Sequence, residues 1–193
     1  MIDYIVGTIT RVTPAFITIE TGGVGYFVNI SLSTFAKLES KENCRILVHE
    51  VIREDARQLF GFADEEEREI FRLLISVSGV GAATARMMLS SLSPAEIEKA
   101  IIGSEVNVLK SVKGIGLKTA QRIIVDLKDK LGKPSGSGEI FAFSDNTRRE
   151  EALSALVMLG FAKNAVSGAL DKILREEKNL SVEGLIKRAL KNL

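Results

Sequence analysis

A ten-residue pattern written twice constrains this chain more than any other feature. Ser76-Val77-Ser78-Gly79-Val80-Gly81-Ala82-Ala83-Thr84-Ala85 and Ser111-Val112-Lys113-Gly114-Ile115-Gly116-Leu117-Lys118-Thr119-Ala120 both read S-V-x-G-[VI]-G-x-x-T-A, 35 residues apart, and Arg86 and Arg122 follow soon after. Self-similarity at a fixed interval marks one supersecondary unit used twice. Each copy lies between segments of helical apolar period, so the predicted unit is helix, tight glycine turn, helix. Two glycines let the backbone turn sharply and approach another molecule closely. The following helix directs unpaired N–H groups and its positive dipole end at whatever occupies the turn. The candidate phosphate-contacting positions are Gly79, Val80, Gly81, Ala83 and Arg86 in the first copy. In the second they are Gly114, Ile115, Gly116, Lys118, Thr119 and Arg122.

Other glycine-rich phosphate sites fit poorly. A dinucleotide fingerprint needs a third glycine and a preceding strand, and both copies lack them. A P-loop needs a glycine directly before the lysine, where Leu117 stands. Glycines that merely make tight interhelical turns would explain one copy better than two at matched spacing. The remaining reading is a pair of helix-hairpin-helix elements that grip a sugar-phosphate backbone. No base-reading helix is evident, and phosphate contacts alone carry no sequence information, so the expectation is structure-specific DNA binding.

Charge supports this only when counted by segment. The whole chain has 26 basic and 25 acidic residues, a formal +1. Residues 70–125 hold Arg72, Arg86, Lys99, Lys110, Lys113, Lys118 and Arg122 against Glu96, Glu98 and Glu105, whereas residues 1–62 are slightly acidic. The run Asp64-Glu65-Glu66-Glu67 adds to that acidic front. A local cationic face serves phosphate binding whatever the total.

The apolar period divides the chain. Residues 1–63 read as five strands with a short helix, Ser33 to Leu38, between the third and fourth: an OB-like Greek-key β-barrel. Residues 64–131 read as helical, with Ser93-Pro94-Ala95-Glu96 an evident helix start. The Gly/Ser/Pro-rich stretch from Gly132 extends to about Asn146 and reads as a flexible linker, 132–146. Residues 147–193 read as a three-helix module, small enough to work by docking. In it Leu156, Leu159 and Phe161 are either core or a partner-docking patch.

Sole Cys44 and sole His49 preclude an intramolecular disulfide and a Cys/His zinc cage, and both fall in one strand-like run. No metal, cofactor or catalytic constellation is expected. No signal-like segment opens the chain and no apolar stretch spans a bilayer, so a cytoplasmic location is expected. Glu54 and Asp55, taken alone, are solvated turn residues between two strands.

Taken together, the barrel ending Arg53-Glu54-Asp55-Ala56…Gly61-Phe62, the tandem G-[VI]-G hairpins, the linker and the module with Ala155-Leu156-Val157-Met158-Leu159-Gly160-Phe161 resemble the RuvA family across essentially the whole chain. That family comprises the Holliday-junction-binding subunits of bacterial branch migration, acting in recombination and repair. The resemblance implies a homotetramer that holds a four-way junction open, two tetramers being able to sandwich it. It also implies the hexameric ATPase RuvB and the junction endonuclease RuvC as partners. Glu54 and Asp55 become an acidic pin at the tetramer centre. Two departures bear on phosphate grip: Ala82-Ala83 stands where Pro-Lys or a similar basic pair is expected, and Leu117 where a second Lys is common.

Two rival classes remain. A nuclease or NTP-driven helicase fails for want of a P-loop and clustered acids. A general single-strand DNA-binding OB protein should carry exposed aromatic positions with basic neighbours, and the acidic barrel disfavours it.

Overall fold

The computed structural model describes residues 1–131, 143–177 and 180–192. Strands β1 (Tyr4–Val12), β2 (Phe16–Thr21), β3 (Val24–Ile30), β4 (Asn43–Ile52) and β5 (Arg57–Phe62) close into a barrel in the order β1-β2-β3-β5-β4. All pairings are antiparallel except β3 with β5, and β1 pairs with β4 to close the cylinder. The period-2 alternation in Ile17/Ile19, Val28/Ile30 and Ile46/Val48 sends every second side chain inward, and all six are buried. Helix α1 (Leu32–Leu38) sits between β3 and β4 as expected, capped by the Ser31 hydroxyl accepting from Thr34 N–H.

Helices α2 (Glu65–Ile75), α3 (Ala82–Ser91), α4 (Pro94–Ile102), α5 (Val106–Lys110) and α6 (Leu117–Leu131) follow. Ser93 and Glu96 form the reciprocal capping box that their spacing predicts. Barrel and helices form one compact unit, Met1–Pro134. The reason is a shared core: Phe60 and Phe62 of β5 lie with ring centroids 5.2 and 4.9 Å from that of Phe71 on α2, and this cluster continues through Met88, Ile101 and Ile123. Strands give way to helices at residue 63 and this cluster spans that change, while the barrel interior around Ile17, Ile46 and Val48 forms a core of its own.

Three acids of the 64–67 run are tied into the structure, and Glu66 is exposed. Asp64 caps α2, accepting from Glu67 N–H at 3.0 Å, and pairs with Lys37. Glu65 binds Arg68 at 2.6 Å, while Arg68 also reaches the Asp3 carboxylate at 2.7 Å and ties the chain start to α2. Glu67 is fully buried, its carboxylate accepting from the Ser31 and Thr34 hydroxyls. Burial pushes that carboxyl above its usual range, a shift opposed by the two donors.

The second unit, Ser135–Leu193, contains α7 (Phe143–Met158), α8 (Lys163–Glu176) and α9 (Val182–Asn192). They enclose a core of Ala152, Leu156, Val166, Leu170, Ile173, Leu185 and Ala189. Of the expected linker, residues 132–142 lie outside the described residues. The last four, 143–146, open α7 instead. Phe143-Ser144-Asp145-Asn146 lacks apolar periodicity, but extending an existing helix adds one hydrogen bond per residue fixed.

Candidate nucleic-acid interface

The two hairpins superpose in their bonding. In the first, Val77 N–H reaches Leu74 C=O at 3.1 Å, Val80 N–H reaches Val77 C=O at 3.0 Å, and Ala85 N–H reaches Gly81 C=O at 2.9 Å. In the second, Val112 donates to Leu109 at 3.3 Å, Ile115 to Val112 at 3.1 Å, and Ala120 to Gly116 at 2.9 Å. Ser76 and Ser111 each bond a carbonyl three residues back, at 2.7 and 2.6 Å. Gly79 and Gly114 have φ of +91° and +92°, the left-handed region where a side chain is strained.

Gly81 and Gly116 differ in kind. Gly81 has φ −86° and ψ 166°, which any residue adopts, and a Cβ added at either position would meet nothing within 4 Å. The fold does not need glycine there. What glycine leaves is bare backbone at the start of a helix, with no side-chain cap on Gly81. The N–H groups of Ala82, Ala83 and Thr84, and of Leu117, Lys118 and Thr119, lack acceptors within their helices, as first-turn amides do. Helix α3 begins at Ala82 and α6 at Leu117, so these amides lie directly at the turn.

The other candidates sort by exposure. Val80 and Ile115 are each 5% exposed and plug the core beneath their turns, so they can offer only backbone outward. Ala83 and Lys118 are exposed, and Lys118 has no hydrogen-bond or ion-pair partner among the described residues. Thr119 is half-buried. Arg122 is exposed and lies 3.8 Å from Asp126, an ion pair that water screens strongly. Arg86 points elsewhere: its Nη1 donates to the Ala15 carbonyl at 2.9 Å and to Asn29 Oδ1 at 3.2 Å, both on the barrel. No sequence signal marks Asn29, 57 residues away, as its partner.

Glu54 and Asp55 stand at the tip of the β4–β5 connection, which Arg53 N–H closes onto Ala56 C=O at 2.8 Å. Both are exposed, and neither has a hydrogen-bond or ion-pair partner among the described residues. Arg57, the nearest following cation, is engaged by Glu50.

In the C-terminal module, Phe161 N–H reaches Leu156 C=O at 3.2 Å and Gly160 N–H reaches Val157 C=O at 3.0 Å, with Gly160 at φ +99°. This is a Schellman helix end, whose usual companion is an apolar contact across the turn. Leu156 is fully buried and Phe161 packs partly buried on the same core. Leu159 is 63% exposed and Met158 86%. Of the three, Leu156 is core, Phe161 is partly so, and Leu159 is largely exposed.

Burial raises the Cys44 thiol pKa, the opposite of what a nucleophile needs. His49 is lowered by burial and by Arg72 and Arg68, and its ring packs edge-on to Phe71. Among the described residues no His, Cys, Asp or Glu side chains gather as a metal site, and no helix is long and apolar enough to cross a membrane.

Three family models match the chain: "RuvA N terminal domain" over residues 1–61, "SAM-like Helix-hairpin-helix tandem" over 71–129, and "RuvA, C-terminal domain" over 147–193. Similar curated proteins are those of Christiangramia forsetii and Bacteroides thetaiotaomicron, each 50% identical, and of Flavobacterium psychrophilum, 45% identical. In all three cases both chains are covered completely, and each relative is named Holliday junction branch migration complex subunit RuvA.

Proposed function

The chain belongs to the RuvA family, and from that membership together with the hairpin geometry we propose how it binds a four-way DNA junction within the branch migration complex. The observation that carries the reading is the pair of matched turns whose second glycine the fold does not require. Each turn offers a row of helix-start amides to a phosphate, a side-chain-free cradle into which the backbone of DNA can settle. Lys118, Thr119 and Arg122 add side-chain contacts on the second hairpin only. Ala83, where a basic residue is expected of the family, leaves the first hairpin to rely on its amides. Contacts of this kind read backbone and not bases, so arm sequence should not matter.

The chain acts as a homotetramer, able to pair as an octamer, with Glu54 and Asp55 of each subunit converging at the crossover. Their charges repel continuous duplex lying across the centre and so favour the open junction over it. The chain itself is non-catalytic and requires no cofactor; RuvB supplies the motor. Leu159, with Met158 beside it, gives the C-terminal module an apolar surface for that ATPase, and RuvC acts on the same junction. The setting is the cytoplasm.

A gel-shift competition between a four-way junction and linear duplex of the same arms tests this. Preference for the junction is expected, and equal affinity would refute it. The rival single-strand binder has one feature in its favour: Phe27, 54% exposed, stacks on Phe16 at 4.4 Å, with the Arg11 guanidinium 5.0 Å from the Phe16 ring. Oligo-dT competing better than junction in the same gel would favour it.

A further inference from the structure

Helix α3 delivers the first hairpin, and its side chains fasten it to the barrel one turn apart. Arg86 Nη1 donates to Ala15 C=O in the β1–β2 connection and to Asn29 Oδ1 on β3. Asn29 Nδ2 in turn donates to Leu59 C=O on β5 at 3.2 Å. One turn along, the Ser90 hydroxyl donates to Arg86 C=O at 2.9 Å and accepts from Leu32 N–H, a first-turn amide of α1, at 3.1 Å. Arg86 is thus committed to two barrel acceptors, and its relay runs through Asn29 to the strand that begins at Arg57, just beyond the acidic tip. Helix α6, which carries the second hairpin, has no hydrogen bond or ion pair to the barrel among the described residues; it packs on α4 and α5.

We infer that Arg86 is a positioning residue: through Asn29 it fixes the first hairpin relative to the acidic connection at 53–56, and this fixed relation turns a general phosphate grip into preference for junctions. The inference rests on the junction-binding reading above. Three features support it over a phosphate contact. A guanidinium holding two carbonyl-type oxygens has already given up part of its donor fork. Its acceptors come from separate barrel elements, so the bonds fix an orientation as well as a distance. Asn29 is neutral and makes the second link, so removing it subtracts no cation from any DNA contact.

The two roles separate in salt dependence. Losing a phosphate contact lowers the slope of log K against log salt by about 0.9 per phosphate in B-form DNA. Losing a clamp between two parts of the protein leaves that slope alone. The experiment measures junction and duplex affinities across salt for the full chain and for Arg86→Ala, Arg86→Lys, Asn29→Ala and the Arg86→Ala/Asn29→Ala double variant. Thermal melts of all four are recorded alongside.

The expected result is a fall in junction-over-duplex preference of roughly tenfold in Arg86→Ala and a similar fall in Asn29→Ala, the scale of a lost hydrogen bond to a charged group. Duplex affinity and salt slope stay as in the unaltered chain. The double variant should be no worse than either single one, because both break one relay. Arg86→Lys keeps the charge, but its nitrogen ends one bond short of Nη1, the single atom that makes both contacts, and it should resemble Arg86→Ala. A reduced salt slope in Arg86→Ala, rescue by Arg86→Lys, or Asn29→Ala behaving as the unaltered chain would overturn the inference. An unaltered chain without junction preference would instead defeat the functional reading beneath it. If Arg86→Ala fails to fold, Asn29→Ala and Arg86→Lys still decide.

Discussion

Gly79 and Gly114 adopt the same left-handed backbone, φ +91° and +92°, at equivalent points of two turns 35 residues apart. Two residues further along, Gly81 and Gly116 sit where a side chain would meet open space. The first glycine of each turn therefore answers to the chain's own geometry, and the second, in the junction-binding proposal, to what approaches it.

Substitution should separate those demands. Gly114→Ala forces a side chain into the left-handed region and should destabilise the hairpin unit by about 1–2 kcal/mol. Gly116→Val should change stability by no more than about 1 kcal/mol, as for a weaker N-cap residue, while strongly reducing junction affinity. It should also hurt binding more than Lys118→Ala, which removes one charge and leaves the amides accessible. Denaturant melts and gel shifts on the three variants check the ordering.

Neutralising the acidic tip should leave the barrel folded, since exposed substitutions usually stay within about 0.5 kcal/mol. The Glu54→Gln/Asp55→Asn variant should bind DNA several-fold more tightly at low salt, because repulsion from phosphate is gone. The gain should shrink as salt rises, screening reaching about 10 Å at 0.1 M. Preference for junction over duplex should fall in the same titration. Unchanged affinity and preference would leave these residues as turn formers.

Removing everything after Leu131 should keep junction binding and tetramer formation. The three-helix module has its own core, and the barrel and hairpins share another. RuvB-driven branch migration should disappear. In the intact chain, Leu159→Ser should weaken that stimulation without altering the melting of the module, whereas Leu156→Ala should unfold it, a loss of about 2–5 kcal/mol for a buried leucine.

Glu67 gives a pH signature. Its folded-state pKa is raised, so as pH climbs past the usual glutamate value of about 4.3 the unfolded chain releases this proton first. The folded state then holds more protons, and stability falls with rising pH until the buried carboxyl also ionises. Glu67→Gln lacks this component. The stability of the unaltered chain minus that of the variant should therefore decline above about pH 4.3 and level off. Denaturant midpoints across pH 4–8 measure it, and a flat difference would contradict it. Asp64, where burial raises the carboxyl but Lys37 and Glu67 N–H together hold it below its usual range, is common to both proteins and cancels to first order.

What is local in this fold is legible in the sequence. The β alternation at Ile17/Ile19, the capping box at Ser93 and Glu96, and both hairpins depend on residues a few positions apart, and all stand in the structure as expected. Hidden from it were relations across the chain. Arg86 looks like any hairpin cation until Ala15 and Asn29 are brought beside it. Asp64, Glu65 and Glu67 look like part of one acidic front until Ser31, Thr34, Lys37 and Arg68 are brought beside them. The change of period near residue 63 cannot show that Phe71 sits under Phe60 and Phe62.

That aromatic seam limits how the chain can be recombined. A barrel exchanged at residue 63 for that of a relative would present its own ring positions to Phe71, and two half-cores shaped in different chains would have to fit. A crossover between Leu131 and Phe143 keeps each described core on one parental chain. Working chimaeras should therefore inherit barrel and hairpins as a single cassette, with the C-terminal module as the interchangeable part.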